Sequence, residues 1–107
     1  SGNDDMVVPL LSVGGQGVIS TVGNVAPRDM QDMVMRYLAG DVEGAKKLQL
    51  AMKPLIDAIF ADVNPIPVKY ALALMGKITG EIRLPLCEPD DRVKQLIDKE
   101  LRSYGLI

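Results

Sequence analysis

A mainly helical chain with one short strand is what this sequence predicts, arranged as a βα tail followed by three further helices. Three observations carry the prediction. Apolar residues recur at three- and four-residue spacing through most of the chain, which is the helical period. The only strand-like run is Gly17-Val18-Ile19-Ser20, set off by Gly14-Gly15-Gln16. The hydrophobic share of 48% comes mostly from Ala, Val, Leu, Ile and Met, with Phe60, Tyr37, Tyr70 and Tyr104 as the aromatics, a palette suited to helix packing.

The elements follow in order. Asn3 or Asp4 is expected to cap a short helix reaching about Val13, limited by Pro9 and stopped by Gly14-Gly15. The strand Gly17 to Ser20 comes next, without a second strand in the chain to pair with. A lone strand leaves its own donors and acceptors unsatisfied, so it requires neighbours from outside these residues. The chain is therefore expected to be a fragment of a longer molecule.

Pro27 suits a first helical turn, and Met30, Met33, Val34, Tyr37 and Leu38 repeat at helical spacing up to Gly40. Asp41 is expected to cap the longest helix, with Val42, Ala45, Leu48, Met52, Leu55, Ile56, Ile59 and Phe60 inward and a bend at Pro54. Asn64 is expected to cap a third helix that begins Pro65-Ile66-Pro67 and buries Val68, Ala71, Leu72 and Met75. Residues 77–89 carry Gly80, Pro85 and Pro89 and read as an extended connector packing Ile82, Leu84 and Leu86 onto the helices. The last helix, about Asp90 to Tyr104, turns Val93, Leu96, Ile97 and Leu101 inward and ends at Gly105. Its acidic start and basic end agree with the helix dipole.

Composition removes several function classes. With 12 Lys and Arg against 14 Asp and Glu, the net charge is −2 and no basic stripe forms, which argues against nucleic acid and against anionic membranes. No apolar run approaches the roughly 20 residues that cross a bilayer, and residues 1–17 lack the pattern of a signal peptide. Cys87 is the single cysteine, which fits a reducing, cytoplasmic setting. There is no histidine, so a zinc site or a histidine-based triad within these residues is excluded.

Several motifs have plain structural readings. Gly14-Gly15-Gln16-Gly17 precedes a strand and lacks the Lys-Ser/Thr of a phosphate loop, so it reads as a sharp turn. Met30, Met33, Met35 and Met52 read chiefly as core, and Pro65-Ile66-Pro67 as a helix start. Cys87 has no evident activating cation and reads as an inert or semi-exposed thiol.

Four stretches then carry a resemblance: Ser1-Gly2-Asn3-Asp4, Gly14-Gly15-Gln16-Gly17-Val18-Ile19-Ser20 with Asn24-Val25, Asn64-Pro65-Ile66-Pro67-Val68-Lys69, and Ile82-Arg83-Leu84-Pro85-Leu86. In this order and spacing, over most of residues 1–86, they resemble the C-terminal portion of the dihydrodipicolinate synthase family. The resemblance implies an eight-stranded (β/α) barrel, the TIM barrel, of which this chain supplies the last βα unit and a C-terminal three-helix region. Residues 1–40 would then be the end of the barrel, with the loop after strand 7, strand 8 and its helix, and 41–107 the helical domain.

The resemblance further implies a lyase of lysine biosynthesis, in the diaminopimelate branch, which condenses pyruvate, held as a Schiff base on a lysine, with aspartate semialdehyde. No separate cofactor is implied, and a homo-oligomer is expected. Lys46, Lys47, Lys53, Lys69, Lys77, Lys94 and Lys99 all fall on helices or connectors, so no catalytic residue is assigned here and the chain alone should be inert. Ile19 matches the family position whose backbone and apolar side chain line the pyruvate pocket, although it also suits a plain interior layer. Gly2, Asn3 and Asp4 match the loop that touches the second substrate, where the family motif reads Ser-Gly-Asp-Asp. They also suit a simple helix cap. Asn3 replaces the first Asp, and an amide donates as well as accepts, which opens the identity of the second substrate. A sibling pyruvate-dependent aldolase, such as N-acetylneuraminate lyase or a keto-deoxy-sugar aldolase, shares this fold and chemistry. A reading of another class is a non-catalytic helical oligomerisation module, driven by apolar faces at Leu10, Leu11, Val18 and Ile19.

Overall fold

Five α-helices joined by loops and two 3-10 turns form the regular structure of the computed structural model, which describes residues 1–107. They are α1 (Val7–Ser12), α2 (Pro27–Leu38), α3 (Val42–Ile59), α4 (Ile66–Leu74) and α5 (Asp91–Tyr104). The 3-10 turns are Asp4–Met6, leading into α1, and Val22–Asn24, leading towards α2. Two compact units divide at Lys53 and Pro54, inside α3.

In the first unit, α1 packs on α2, and α2 packs on the Val22–Asn24 turn. Val7, Leu11, Val22, Met30, Met33, Ala45 and Met52 are buried. Burial of Met30, Met33 and Met52 agrees with the core reading of the methionines, and Met35 is exposed. Leu38, the last residue of α2, is exposed rather than inward. Leu11, expected to be bare without a larger parent, is buried. At the end of α1, Gly14 takes φ 100° and the Gly15 N–H donates to the Leu10 carbonyl at 2.8 Å, the sharp turn expected of the glycine run.

The expected strand is corrected: residues 15–20 belong to no β-strand. Their pairing explains why. The Ser1 ammonium donates to the Gly17 carbonyl at 2.8 Å, and the Ile19 N–H donates to the Ser1 carbonyl at 2.8 Å. This is the slanted pattern of a parallel ladder, one residue long on one side and two on the other. Ser1 is the residue with which the segment pairs.

Between α2 and α3, Gly40 adopts φ 95° and the Asp41 N–H donates to the Arg36 carbonyl at 2.8 Å, terminating α2. Asp41 then caps α3 as expected, its Oδ1 accepting from the Gly44 N–H at 2.9 Å. The inward stripe of α3 includes Ala45, Gln49, Met52, Leu55, Ile56 and Ile59, whereas Val42 and Phe60 at its ends are partly exposed and Leu48 is half-buried. Gln49 occupies the place that hydropathy assigned to Leu48, because the true period of the stripe is four, three, four, three.

In the second unit α4 packs against α5. The start of α4 corrects another expectation: Pro65, not Asn64, holds the cap position, after a turn in which the Ile66 N–H donates to the Val63 carbonyl at 2.8 Å. Ile66, Pro67, Val68 and Ala71 are buried, with Leu72 and Met75 half-buried. On α5, Asp90 Oδ1 accepts from the Val93 N–H at 3.0 Å, and Gly105 closes the helix at φ 88° while the Leu106 N–H donates to the Leu101 carbonyl. Val93, Ile97 and Leu101 face inward and Leu96 is half-buried. Lys94 joins the two helices, its ammonium 5.7 Å from the Tyr70 ring centre and 3.2 Å from Glu88. The connector packs Ile82 and Leu86 only partly, and Leu84 is 88% exposed, contrary to expectation. Leu84 precedes Pro85 in a turn where Leu86 N–H bonds the Arg83 carbonyl, and that turn directs the side chain outward. Cys87 is exposed.

Candidate functional site: the loop at residues 1–4 and its bonds to residues 17–22

Ser1 to Asp4 form a short loop pinned at both ends to the extended segment. At its start lie the two backbone bonds from Ser1 to Gly17 and Ile19. At its end the Asp4 carboxyl is 1% exposed, and its Oδ2 accepts from the Val22 N–H at 2.6 Å. Within the loop the Ser1 hydroxyl accepts from the Asn3 N–H at 3.0 Å and donates to the Asn3 carbonyl at 2.9 Å. The Asn3 backbone is thereby satisfied locally, and its side chain makes no capping bond and stays exposed, as does Gly2.

Asp4 does not cap the helix that follows. Its Oδ1 is buried without a hydrogen-bond partner, an arrangement unusual enough in folded proteins to ask for an explanation. Gln49 of α3 supports the same corner: its Nε2 donates to the Asp4 carbonyl at 3.0 Å, and its Oε1 accepts from the Val8 N–H at 3.0 Å. One side-chain amide thus serves an orphan acceptor and an orphan donor of the turn leading into α1.

On the extended segment, side chains alternate as in any strand. Val18 and Ser20 line an open, mainly apolar groove of about 330 Å³ with Gly23, Pro27, Met30 and Val34. Ile19 points away from it and is 88% exposed. The backbone alternates likewise: Ile19 N–H and Gly17 carbonyl face Ser1, while Val18 takes no backbone bond on the opposite edge. Ser20 Oγ accepts from the Gly23 N–H at 2.7 Å and shapes the exit of the segment into the 3-10 turn.

The structure brings Gly2, Asn3 and Asp4 to the same edge as Ile19 through the Ser1 pairing, with Asp4 turned inward and the other three turned out. Sequence reasoning missed Gln49 and Val22. Gln49 carried a signal, since a polar residue four after Ala45 and three before Met52 interrupts an otherwise apolar stripe. Val22 carried none, because only its backbone takes part. No three His, Cys, Asp or Glu side chains converge as a metal-ligand set. No helix is long and apolar enough to cross a membrane.

Comparison with known proteins places this arrangement. The model of the dihydrodipicolinate synthetase family matches residues 1–103. The 4-hydroxy-tetrahydrodipicolinate synthase of Acetivibrio thermocellus is 48% identical over 107 residues, covering 100% of this chain and 37% of that protein. That of Methanocaldococcus jannaschii is 45% identical over the same length, again 37% of the relative. A crystal structure of dihydrodipicolinate synthase from Thermotoga maritima superposes with a TM-score of 0.98 at 44% identity, covering 100% of this chain and 36% of that one. The chain thus spans about 37% of the length of the curated relatives it matches. With the family model matching nearly end to end, the chain belongs to the dihydrodipicolinate synthetase family.

Proposed function

We propose that these residues are the C-terminal part of a 4-hydroxy-tetrahydrodipicolinate synthase, which condenses pyruvate with aspartate semialdehyde in lysine biosynthesis. The observation that carries this reading is 48% identity across the whole chain to a relative of that name. In this reading the Schiff-base lysine lies outside the chain, residues 1–40 close a (β/α) barrel, and residues 41–107 form the helical domain that follows it in sequence. The open edge at Val18 supports the barrel, since a strand in a closed barrel needs a neighbour on each side and Ser1 supplies only one.

Each site residue has a role in this reading. Ile19 provides an apolar wall for the methyl group of pyruvate, at the C-terminal end of its strand where such barrels gather their sites. The exposed Gly2 and Asn3, with Asp4 behind them, form the loop that meets the aldehyde substrate. The enzyme works in the cytoplasm as a homo-oligomer and needs no further cofactor.

The test is to incubate the full-length enzyme with pyruvate and borohydride, then to assay turnover with aspartate semialdehyde in parallel with cleavage of sugar acids. A reduced pyruvate adduct and turnover only with the semialdehyde support the reading. Turnover only with sugar acids assigns the chain to a sibling aldolase, an outcome that Asn3 would then explain. No adduct at all overturns the pyruvate chemistry.

A further inference from the structure

We infer that Asp4 is a positioning residue for the second-substrate loop and not a contact to the substrate. The inference rests on the functional reading above and refines it. Asp4 is 1% exposed, its Oδ2 is bonded inward to the Val22 N–H at 2.6 Å and its unpartnered Oδ1 is buried as well, so neither oxygen is presented at the surface to a ligand. Its effect is geometric. Ser1 holds one end of the Gly2-Asn3 span through Gly17 and Ile19, and Asp4 holds the other through Val22.

The two ends differ in firmness. Val22 is 0% exposed, and its carbonyl accepts from both the Val25 and Ala26 N–H groups at 2.9 Å. When the Asp4 bond is broken, the loop moves and Val22 stays. Gln49 is the second brace, since its Nε2 holds the Asp4 carbonyl. Ile19 is held separately by Ser1, so loss of Asp4 loosens the aldehyde side of the site and leaves the pyruvate side in place.

The experiment uses the full-length enzyme with Asp4→Ala, Asp4→Asn and Gln49→Met. Asp4→Ala is expected to raise KM for the aldehyde by about tenfold, the weight of one strong buried hydrogen bond, with KM for pyruvate changed by less than about twofold. Asp4→Asn keeps an acceptor oxygen for the Val22 N–H and is expected to stay within about threefold of wild type. Gln49→Met conserves shape and removes the second brace, and is expected to shift the aldehyde KM in the same direction should Asp4→Ala not fold. Hydrogen exchange at the Val22 amide is expected to quicken in Asp4→Ala and to stay protected in Asp4→Asn.

Two results overturn the inference alone: an active wild type whose aldehyde KM and Val22 exchange ignore Asp4→Ala and Gln49→Met, or an Asp4→Asn enzyme as impaired as Asp4→Ala, which would mark a direct role for the charge. A wild type inactive with pyruvate overturns the functional reading and this inference with it.

Discussion

Arg36 and Asp41 close the junction between α2 and α3: Arg36 Nη1 donates to Asp41 Oδ2 at 3.0 Å while Asp41 Oδ1 caps α3 at the Gly44 N–H. One carboxyl thereby serves the helix before it and the helix after it. Asp32, 3.6 Å from Arg36 Nε, completes the cluster one turn earlier. The Gly44 N–H first, and the Arg36 guanidinium second, hold the Asp41 carboxyl below the usual carboxylate range.

That shift fixes a pH dependence. A carboxyl whose folded pKa lies below its unfolded value binds protons more readily when unfolded, so its stabilising contribution is complete above the unfolded pKa of about 4. The contribution is lost as pH falls through the folded value. Asp41→Ala is expected to lower Tm at neutral pH, and the gap to wild type should shrink steadily below about pH 4. Thermal unfolding followed by circular dichroism from neutral pH to pH 2 checks this; a gap independent of pH would assign the loss to something other than the ionised carboxyl.

The glycines separate conformational from steric constraint. Gly105 stands at φ 88° with nothing within 4 Å of where a Cβ would be, so Gly105→Ala should cost about 1 kcal/mol through backbone conformation alone. At Gly15 the obstacle is an atom: a Cβ would lie 2.7 Å from the Leu10 carbonyl oxygen, and the turn ending α1 must shift to admit it. Gly15→Ala is expected to cost about 1–3 kcal/mol. Gly80, with free space and no positive φ, is the control, and Gly80→Ala should leave stability within about 0.5 kcal/mol. Urea titrations of the three variants rank them, and a Gly80 variant as unstable as Gly15→Ala would refute the ranking.

Self-association is expected of the 107-residue chain in isolation. Ile19 is 88% exposed on a segment whose Val18 edge takes no backbone bond, and an apolar residue beside an open strand edge recruits a further strand. Light scattering should report dimers or larger species whose share grows with concentration, and Ile19→Lys should reduce it. A monodisperse monomer at high concentration would show that the edge is protected in another way.

Much of the fold was legible in sequence because helices advertise themselves locally. Pro27 at a first turn, Asp41 and Asp90 as caps and Gly40 and Gly105 as stops all act within a few residues, and each lies where its chemistry requires. Expectations failed where a neighbour distant in sequence decides. Asp4 reads as a cap until Val22, 18 residues on, takes its carboxyl. Gln49 reads as one more polar position until it meets Val8 and Asp4 across more than 40 residues. Leu84 reads as core, but the local turn leaves it in solvent.

By itself, then, the sequence determined the helices, most of their ends and the family, since periodicity, capping chemistry and motif spacing are properties of neighbouring positions. Only the tertiary structure decided that the extended segment pairs with Ser1, that Asp4 turns inward while Asn3 turns out, and that Gln49 braces the corner. Those outcomes depend on buried donors and acceptors finding partners through space, and the cost of leaving them unpaired is not written in any local pattern.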